Sequence, residues 1–254
     1  MQIANTIESI RKQLNPVYTS SNKIALVPTM GNLHEGHLSL VKQAKQLAEH
    51  VVVTIFVNPT QFVAGEDFEN YPRTLDSDLE LLKDLNTDLV FVPSIDEIYS
   101  DGPFKAEVTV SELDGIYCGK FRPGHFNGVA TIVLKLFNII QPDFALFGQK
   151  DYQQLLVIRS LVNSLNLPIE IVSAPTVREA DGLAMSSRNN YLSANERKVA
   201  ITLYQSIKQA VDHIRDGEKD YKKLENQAIT QLKDAGFKPE YFSVCDAETL
   251  KPPV

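Results

Sequence analysis

Residues 27–37 read Val-Pro-Thr-Met-Gly-Asn-Leu-His-Glu-Gly-His and carry two imidazoles, His34 and His37, three positions apart. At the start of a helix that spacing lets both rings face the same side. Gly31 and Gly36 let a ligand approach the backbone closely. The N–H groups and dipole of a helix start already attract anions. Two imidazoles added there suit a polyphosphate, because they can donate hydrogen bonds to charge that builds up as a phosphate ester breaks. The plain alternatives are a His pair that only caps the helix, and a zinc site, for which no third ligand stands nearby in sequence.

A second string, Phe147-Gly-Gln-Lys-Asp-Tyr-Gln-Gln154, also follows an apolar run. Lys150 offers a point charge for a phosphate, and Gln154, one helical turn on, can point the same way. A solvated Lys beside a capping Asp151 is the bland reading. The third string, Asp181 to Asn190, includes Met185, Ser186, Ser187 and Arg188. Its hydroxyls and guanidinium are good phosphate partners, and such a loop can also close over a substrate. Asn58 and Gln61 follow the most apolar run, which places their amides at a ligand edge; a local Asn-Pro turn is the alternative. Arg122 and His125 add a cation and an imidazole, with Asn127 expected to cap the following helix. Asp76 and Asp78 could hold magnesium through phosphates, although acids in a helix's first turn more often answer the dipole.

The elements that must position these groups alternate. Ile3, Ile7, Ile10 and Leu14 predict an opening helix. Ile24–Val27 is a short strand, and Leu40, Val41, Ala44, Leu47 and Ala48 mark an amphipathic helix. Val51–Val57 is β-branched and apolar on both faces, the mark of a strand buried on both sides in a parallel sheet. Leu75, Leu79, Leu82 and Leu85 form a helix with Thr74 as N-cap. Strand Leu89–Val92, a helix around Thr131–Ile140, strand Phe144–Phe147, a helix over Tyr152–Ser164 and strand Ile169–Val172 follow. This order predicts an α/β fold with a Rossmann-like, doubly wound parallel sheet, in which ligands sit at the carboxyl ends of the strands. The pattern changes near Pro175, so a domain over 1–176 is expected, followed by a small α+β domain over 177–254. In the latter, Val199, Leu203, Ile207, Val211 and Ile214 line one helix, Tyr221, Leu224, Ala228 and Leu232 a second, and Tyr241–Cys245 reads as a final strand.

The 254 residues carry 25 Lys and Arg against 32 Asp and Glu, a net charge of −7. That is not the basic excess of a general nucleic-acid binder. A hydrophobic share of 43% and a charged share of 22% are those of a globular chain and exclude disorder as the main state. No apolar stretch is long enough to span a membrane, and the N-terminus has no apolar signal core. Cys118 and Cys245 form no Cys-x-x-Cys pair, so free thiols in a reducing cytoplasm are expected.

The combination of His34-x-Gly-His37 with a later Met185-Ser-Ser-Arg loop resembles the nucleotidylyltransferase superfamily. The finer strings PTMGNLHEGH, FVNPTQF, YPRTL, RPGHFNGV, FGQKDYQQ and TVREADGLAMSSRN run in order from position 28 to about 191. They resemble the pantoate–β-alanine ligase family. The resemblance implies ATP-dependent joining of pantoate to β-alanine through a pantoyl adenylate, with magnesium accompanying ATP and a homodimer formed by the larger domain. It implies ATP contacts at Met30, Gly31, Asn32, Leu33, His34, Glu35, Gly36 and His37, at Gly148, Gln149, Lys150 and Asp151, and at Val177, Met185, Ser186, Ser187 and Arg188. His37 is implied as the proton donor, with His34 and Lys150 on the phosphates. Gln61 and Gln154 are implied at pantoate, Gln61 also near β-alanine; Asn58, Arg122 and His125 are placed in the same substrate region from their loop positions, and Asp78 is the candidate metal ligand from its place in a helix's first turn. The chain ends at Val254, earlier than the resemblance implies, so a last strand of the small domain is expected to be missing. Another adenylyl- or cytidylyltransferase would keep the His pair but need not keep Gln61 and Gln154, and a non-catalytic nucleotide sensor need not keep Lys150.

Overall fold

Successive residues of the Val51-Val52-Val53 run enter different apolar layers, and this alternation organises the whole N-terminal half. A computed structural model of the chain describes residues 1–100, 102 and 105–253. It divides into two compact units, Met1–Thr176 and Val177–Val254.

In the first unit β1 (Gln2–Ala4), α1 (Ile7–Tyr18), β2 (Ile24–Thr29), α2 (Glu35–Leu47), β3 (His50–Ile55), α3 (Leu75–Asp84) and β4 (Leu89–Phe91) come first. Three short helices, α4 (Ile95–Ile98), α5 (Ser111–Asp114) and α6 (Tyr117–Phe121), lead to α7 (His125–Ile140), β5 (Phe144–Gly148), α8 (Tyr152–Ser164) and β6 (Glu170–Ala174). The six strands form one sheet in the order β1-β4-β3-β2-β5-β6, and every pair is parallel. Leu26, Val52, Phe91, Ala145 and Phe147 pack with α1, α7 and α8 on one face. Ala25, Val27, Val51, Val53, Val90 and Leu146 pack with α2 and α3 on the other. Strands apolar on both faces are what this sandwich requires. Full burial of each such Val or Leu contributes about 1.5–3 kcal/mol.

Two element starts differ from expectation. Ile3 lies in β1, paired with Val90 at the sheet edge, and the helix begins only after Thr6, whose side chain forms a capping box with Ser9. The helix expected from Thr131 begins at His125, because Gly124 adopts a left-handed φ of 81° and turns the chain into it. Asn127 is therefore inside α7, and its Oδ1 accepts from the Val110 N–H instead of capping.

The second unit holds α9 (Ala194–Ala200), α10 (Thr202–Arg215) and α11 (Tyr221–Asp234). Small buried residues Ser206 and Ala210 of α10 let it pack on α11, which buries Leu224, Ala228 and Leu232. The Val199, Leu203, Ile207 and Val211 stripe is exposed. Tyr241–Cys245 is not a ladder strand: among the described residues no strand pairs with it, and the Val244 N–H donates to Glu225 Oε1. Strand character in this unit is an isolated antiparallel bridge, Arg178 to Ala184, so among the described residues its α+β description rests on three α-helices, a 3₁₀ turn over Ser187–Tyr191 and that bridge. No described helix is long and apolar enough to cross a membrane.

Candidate functional site

Strand β2 pairs with β3 on one side and β5 on the other. The chain proceeds outward from β2 through β3 and β4 in one direction and through β5 and β6 in the other. The carboxyl ends of β2 and β5 therefore flank a topological switch point, where open α/β sheets bind ligands. The first ends in the His34–His37 string and the second in Gly148, followed by a 3₁₀ turn over Gln149–Asp151. Topology thus sets two strings more than a hundred residues apart at neighbouring strand ends.

His34 is the N-cap of α2, in extended conformation. Its Nδ1 accepts from the Gly36 N–H at 3.1 Å, and His37 Nδ1 accepts from the His34 N–H at 3.4 Å. The two rings are 4.1 Å apart between centroids. Because each Nδ1 receives a backbone donor, each neutral imidazole carries its proton on Nε2. Burial lowers the His37 pKa to about 3, helped by the charges of His34 and Lys150. Burial and then Lys150 also lower that of His34. Both rings are neutral donors near pH 7, and Lys150 lies close enough to act on both. The capping alternative is thus realised, and it uses the Nδ1 atoms only, leaving both Nε2 atoms outside the cap.

The loop before α2 is clasped from outside. Asp78, 2% exposed on α3, accepts from the Asn32 N–H at 2.9 Å and the Leu33 N–H at 2.8 Å. Thr74 donates its hydroxyl to both oxygens at 3.2 Å and makes no side-chain cap. Gly31 has φ +82°, and a Cβ there would sit 3.0 Å from Asp78 Oδ2. Asp78, expected as a metal ligand, accepts from three loop donors in this way and clasps the loop. Among the described residues no group of three His, Cys, Asp or Glu is placed to hold a metal.

Beside the switch point lies a cavity of about 170 Å³, smaller than the roughly 300–1,000 Å³ of sites for drug-sized ligands. Met30, His37, Thr54, Asn58, Gln61, Asp151 and Gln154 supply its polar and sulfur-bearing wall, and Phe56, Val129, Ile132, Val133, Leu136 and Phe147 its apolar wall. Thr54 Oγ1 is buried and has no protein hydrogen-bond partner. The two consecutive glutamines of α8 divide their tasks. Gln153 pins the α5–α6 segment through Cys118 N–H and the carbonyls of Leu113 and Ile116, while Gln154 lines the cavity.

Arg122 and His125 do not line it. Arg122 binds Glu66 with two hydrogen bonds, Nε–Oε1 at 2.5 Å and Nη2–Oε2 at 2.7 Å, and donates to His125 Nε2 at 2.8 Å. His125 donates from Nδ1 to the Gln61 carbonyl at 2.6 Å. Burial lowers the His125 pKa and Arg122 adds to that, against the opposing hydrogen bond to Gln61. These two residues, expected in the substrate region, hold the main chain of Gln61. Gly128 permits the close approach: a Cβ there would stand 2.1 Å from the Thr60 carbonyl oxygen. Glu66, Thr54 and Gly128 were not singled out from sequence, since only the folded chain shows what they meet.

In the second unit Met185 N–H donates to the Val177 carbonyl at 3.0 Å. Ser186 caps the turn Ser187–Tyr191 by accepting from the Arg188 N–H. Arg197 bridges Glu179 and Asp181, and the Arg178 guanidinium stacks 3.8 Å over Tyr204.

A parallel sheet with neutral imidazole donors, a lysine and a small mixed cavity at its switch point defines a class: α/β proteins built to hold a phosphorylated ligand beside a small polar one. The chain belongs to the pantoate-beta-alanine ligase family, whose sequence profile matches residues 2–254. It is 51% identical over 241 residues to a pantothenate synthetase of Acinetobacter baumannii, covering 95% of this chain and 85% of that one. It is 50% identical over 253 residues to one of Pseudomonas fluorescens, covering 99% and 88%. The structure is similar to pantothenate synthetase from Thermus thermophilus, with a TM-score of 0.94 and 42% identity over 100% of this chain and 90% of that one. It is also similar to a pantoate-beta-alanine ligase from Francisella tularensis crystallised with beta-gamma ATP and beta-alanine, with a TM-score of 0.81 and 38% identity over 91% and 86%.

Proposed function

We propose that the protein joins pantoate to β-alanine with ATP in two steps. The pantoate carboxylate attacks the α-phosphate, forming pantoyl adenylate and releasing pyrophosphate. The β-alanine amine then attacks the acyl carbon, and AMP leaves. Adenylation gathers several negative charges, so the protein's task is to position and neutralise them. In this reading His34 and His37 donate from Nε2 to the phosphates, and Lys150 adds its charge. His37, neutral when free, meets the phosphates as an Nε2–H donor, which is the proton-donor part that the family resemblance implies. Met30–His37 and Gly148–Asp151 hold ATP. Val177 and Met185–Arg188 are assigned to ATP on the family resemblance.

The observation that carries this reading is the cavity. Its aliphatic wall suits the dimethyl carbon of pantoate, and Gln61 and Gln154 suit its hydroxyl and carboxylate oxygens. Asn58, Arg122 and His125 act through Gln61. Magnesium is read as arriving with the ATP phosphates. A homodimer and a cytoplasmic setting belong to the same reading, on resemblance. The test is AMP release with ATP, pantoate and β-alanine, with other hydroxy acids and amines as controls. Release should require both substrates; release supported equally by an unrelated acid contradicts the assignment.

A further inference from the structure

Gln61 has an amide whose two ends differ in chemistry, and the way it is turned decides whether the cavity is offered a donor or an acceptor. Its Oε1 accepts from Asn58 Nδ2 at 3.2 Å, and its Nε2 meets Met30 Sδ at 3.0 Å on the cavity wall. The orientation is inherited from Asn58, which is 1% exposed. Asn58 Nδ2 also donates to the Gly128 carbonyl at 3.2 Å, while its Oδ1 accepts from the Thr60 N–H at 3.4 Å. A main-chain acceptor on one end and a main-chain donor on the other set the sense of Asn58, but through long contacts of 3.2 and 3.4 Å. Its Oδ1 receives a further short bond, 2.7 Å, from the Tyr99 hydroxyl. Thr60 Oγ1 donates to the same oxygen at 3.0 Å.

Tyr99 follows α4 and is 7% exposed. It does not line the cavity. Its ring packs 6.3 Å from Phe56, and the Lys135 ammonium lies 5.4 Å from its centroid. The ring is therefore held by apolar and cation–π contacts, and the hydroxyl proton is spent on Asn58, with Thr60 Oγ1 3.2 Å from the tyrosine oxygen.

We propose that Tyr99 is a positioning residue for the acid substrate: its hydroxyl locks Asn58, and Asn58 turns Gln61 so that an N–H donor faces the cavity. A donor suits a carboxylate or hydroxyl oxygen, and a flipped amide would present an acceptor to an anion. The inference rests on the reading that Gln61 touches pantoate.

The experiment is a double-mutant cycle on Tyr99→Phe and Gln61→Ala, with pantoate and ATP each titrated calorimetrically and KM and kcat measured for pantoate. Tyr99→Phe keeps the ring and should weaken pantoate roughly 3- to 10-fold, the scale of one neutral hydrogen bond. ATP affinity should be unchanged, and KM should move more than kcat. In the Gln61→Ala background the same change should have almost no further effect. Thr60→Val, which removes the second hydroxyl on Asn58 Oδ1, should act in the same direction and more weakly. If Gln61→Ala leaves pantoate binding intact, the site reading itself fails. If Gln61→Ala weakens pantoate but Tyr99→Phe does not, or if Tyr99→Phe costs as much without Gln61 as with it, the lock is wrong.

Discussion

Asp78→Asn separates a clasp from a metal ligand. The carboxylate accepts from the Asn32 and Leu33 N–H groups with different oxygens and from the Thr74 hydroxyl. Converting one oxygen to NH₂ sets a donor against one of those two buried N–H groups, whichever way the amide sits. A hydrogen bond to a charged group contributes about 1.5–3 kcal/mol, and the bond that survives falls to the neutral range of about 0.5–1.5 kcal/mol. The expected loss is about 2–4 kcal/mol, read as a lower urea midpoint for the N-terminal unit. ATP affinity should fall as well, because the His34 and His37 cap follows directly from that loop, and added Mg²⁺ should not restore it. An unchanged midpoint, together with ATP binding rescued by Mg²⁺, would refute the clasp and return Asp78 to the metal.

Two further outcomes are expected. His37→Ala and Lys150→Ala should each lower pantoate-dependent adenylation by on the order of 10²–10³ with little change in melting temperature, since neither side chain belongs to an apolar core; a large thermal loss with little kinetic effect would make them structural. The pH dependence of stability should carry the His37 signature. Its folded pKa of about 3 lies below the ordinary 6.5, so the unfolded chain binds more protons between those values. The contribution is fully present above pH 6.5 and is lost as pH falls toward 3, with a slope of at most about 1.4 kcal/mol per unit. His37→Gln should therefore lose less stability than the parent chain between pH 7.5 and 5 in urea titrations, and equal losses would contradict the burial argument.

The sheet was legible because Val51–Val57 and its companion runs are apolar on both faces, a pattern a parallel sheet demands and an amphipathic helix does not. Its edge was not: Gln2–Ala4 is too short for periodicity, and Ile3 continues the helical spacing of Ile7 and Ile10 until Thr6 interrupts it. The Tyr241–Cys245 pattern suits a strand, but a strand also needs a neighbour, which no local pattern supplies. At the site, His34 and His37 could be grouped from their spacing, and Lys150 from its place after a strand. Asp78 and Arg122 stand out in the sequence as charged groups near the chemistry, yet their bonds run to Leu33 and Glu66, and charge alone does not tell a ligand from a brace. Tyr99 gave no signal, since its one functional atom acts through a residue forty-one positions away.

The central claim is that the switch-point site makes an acyl adenylate without a protein nucleophile. Exchange of labelled pyrophosphate into ATP tests it most directly. With pantoate present and β-alanine absent, label should enter ATP, and it should not do so without pantoate. Exchange that strictly requires β-alanine, or a covalent acyl-protein adduct found by mass spectrometry, would contradict it.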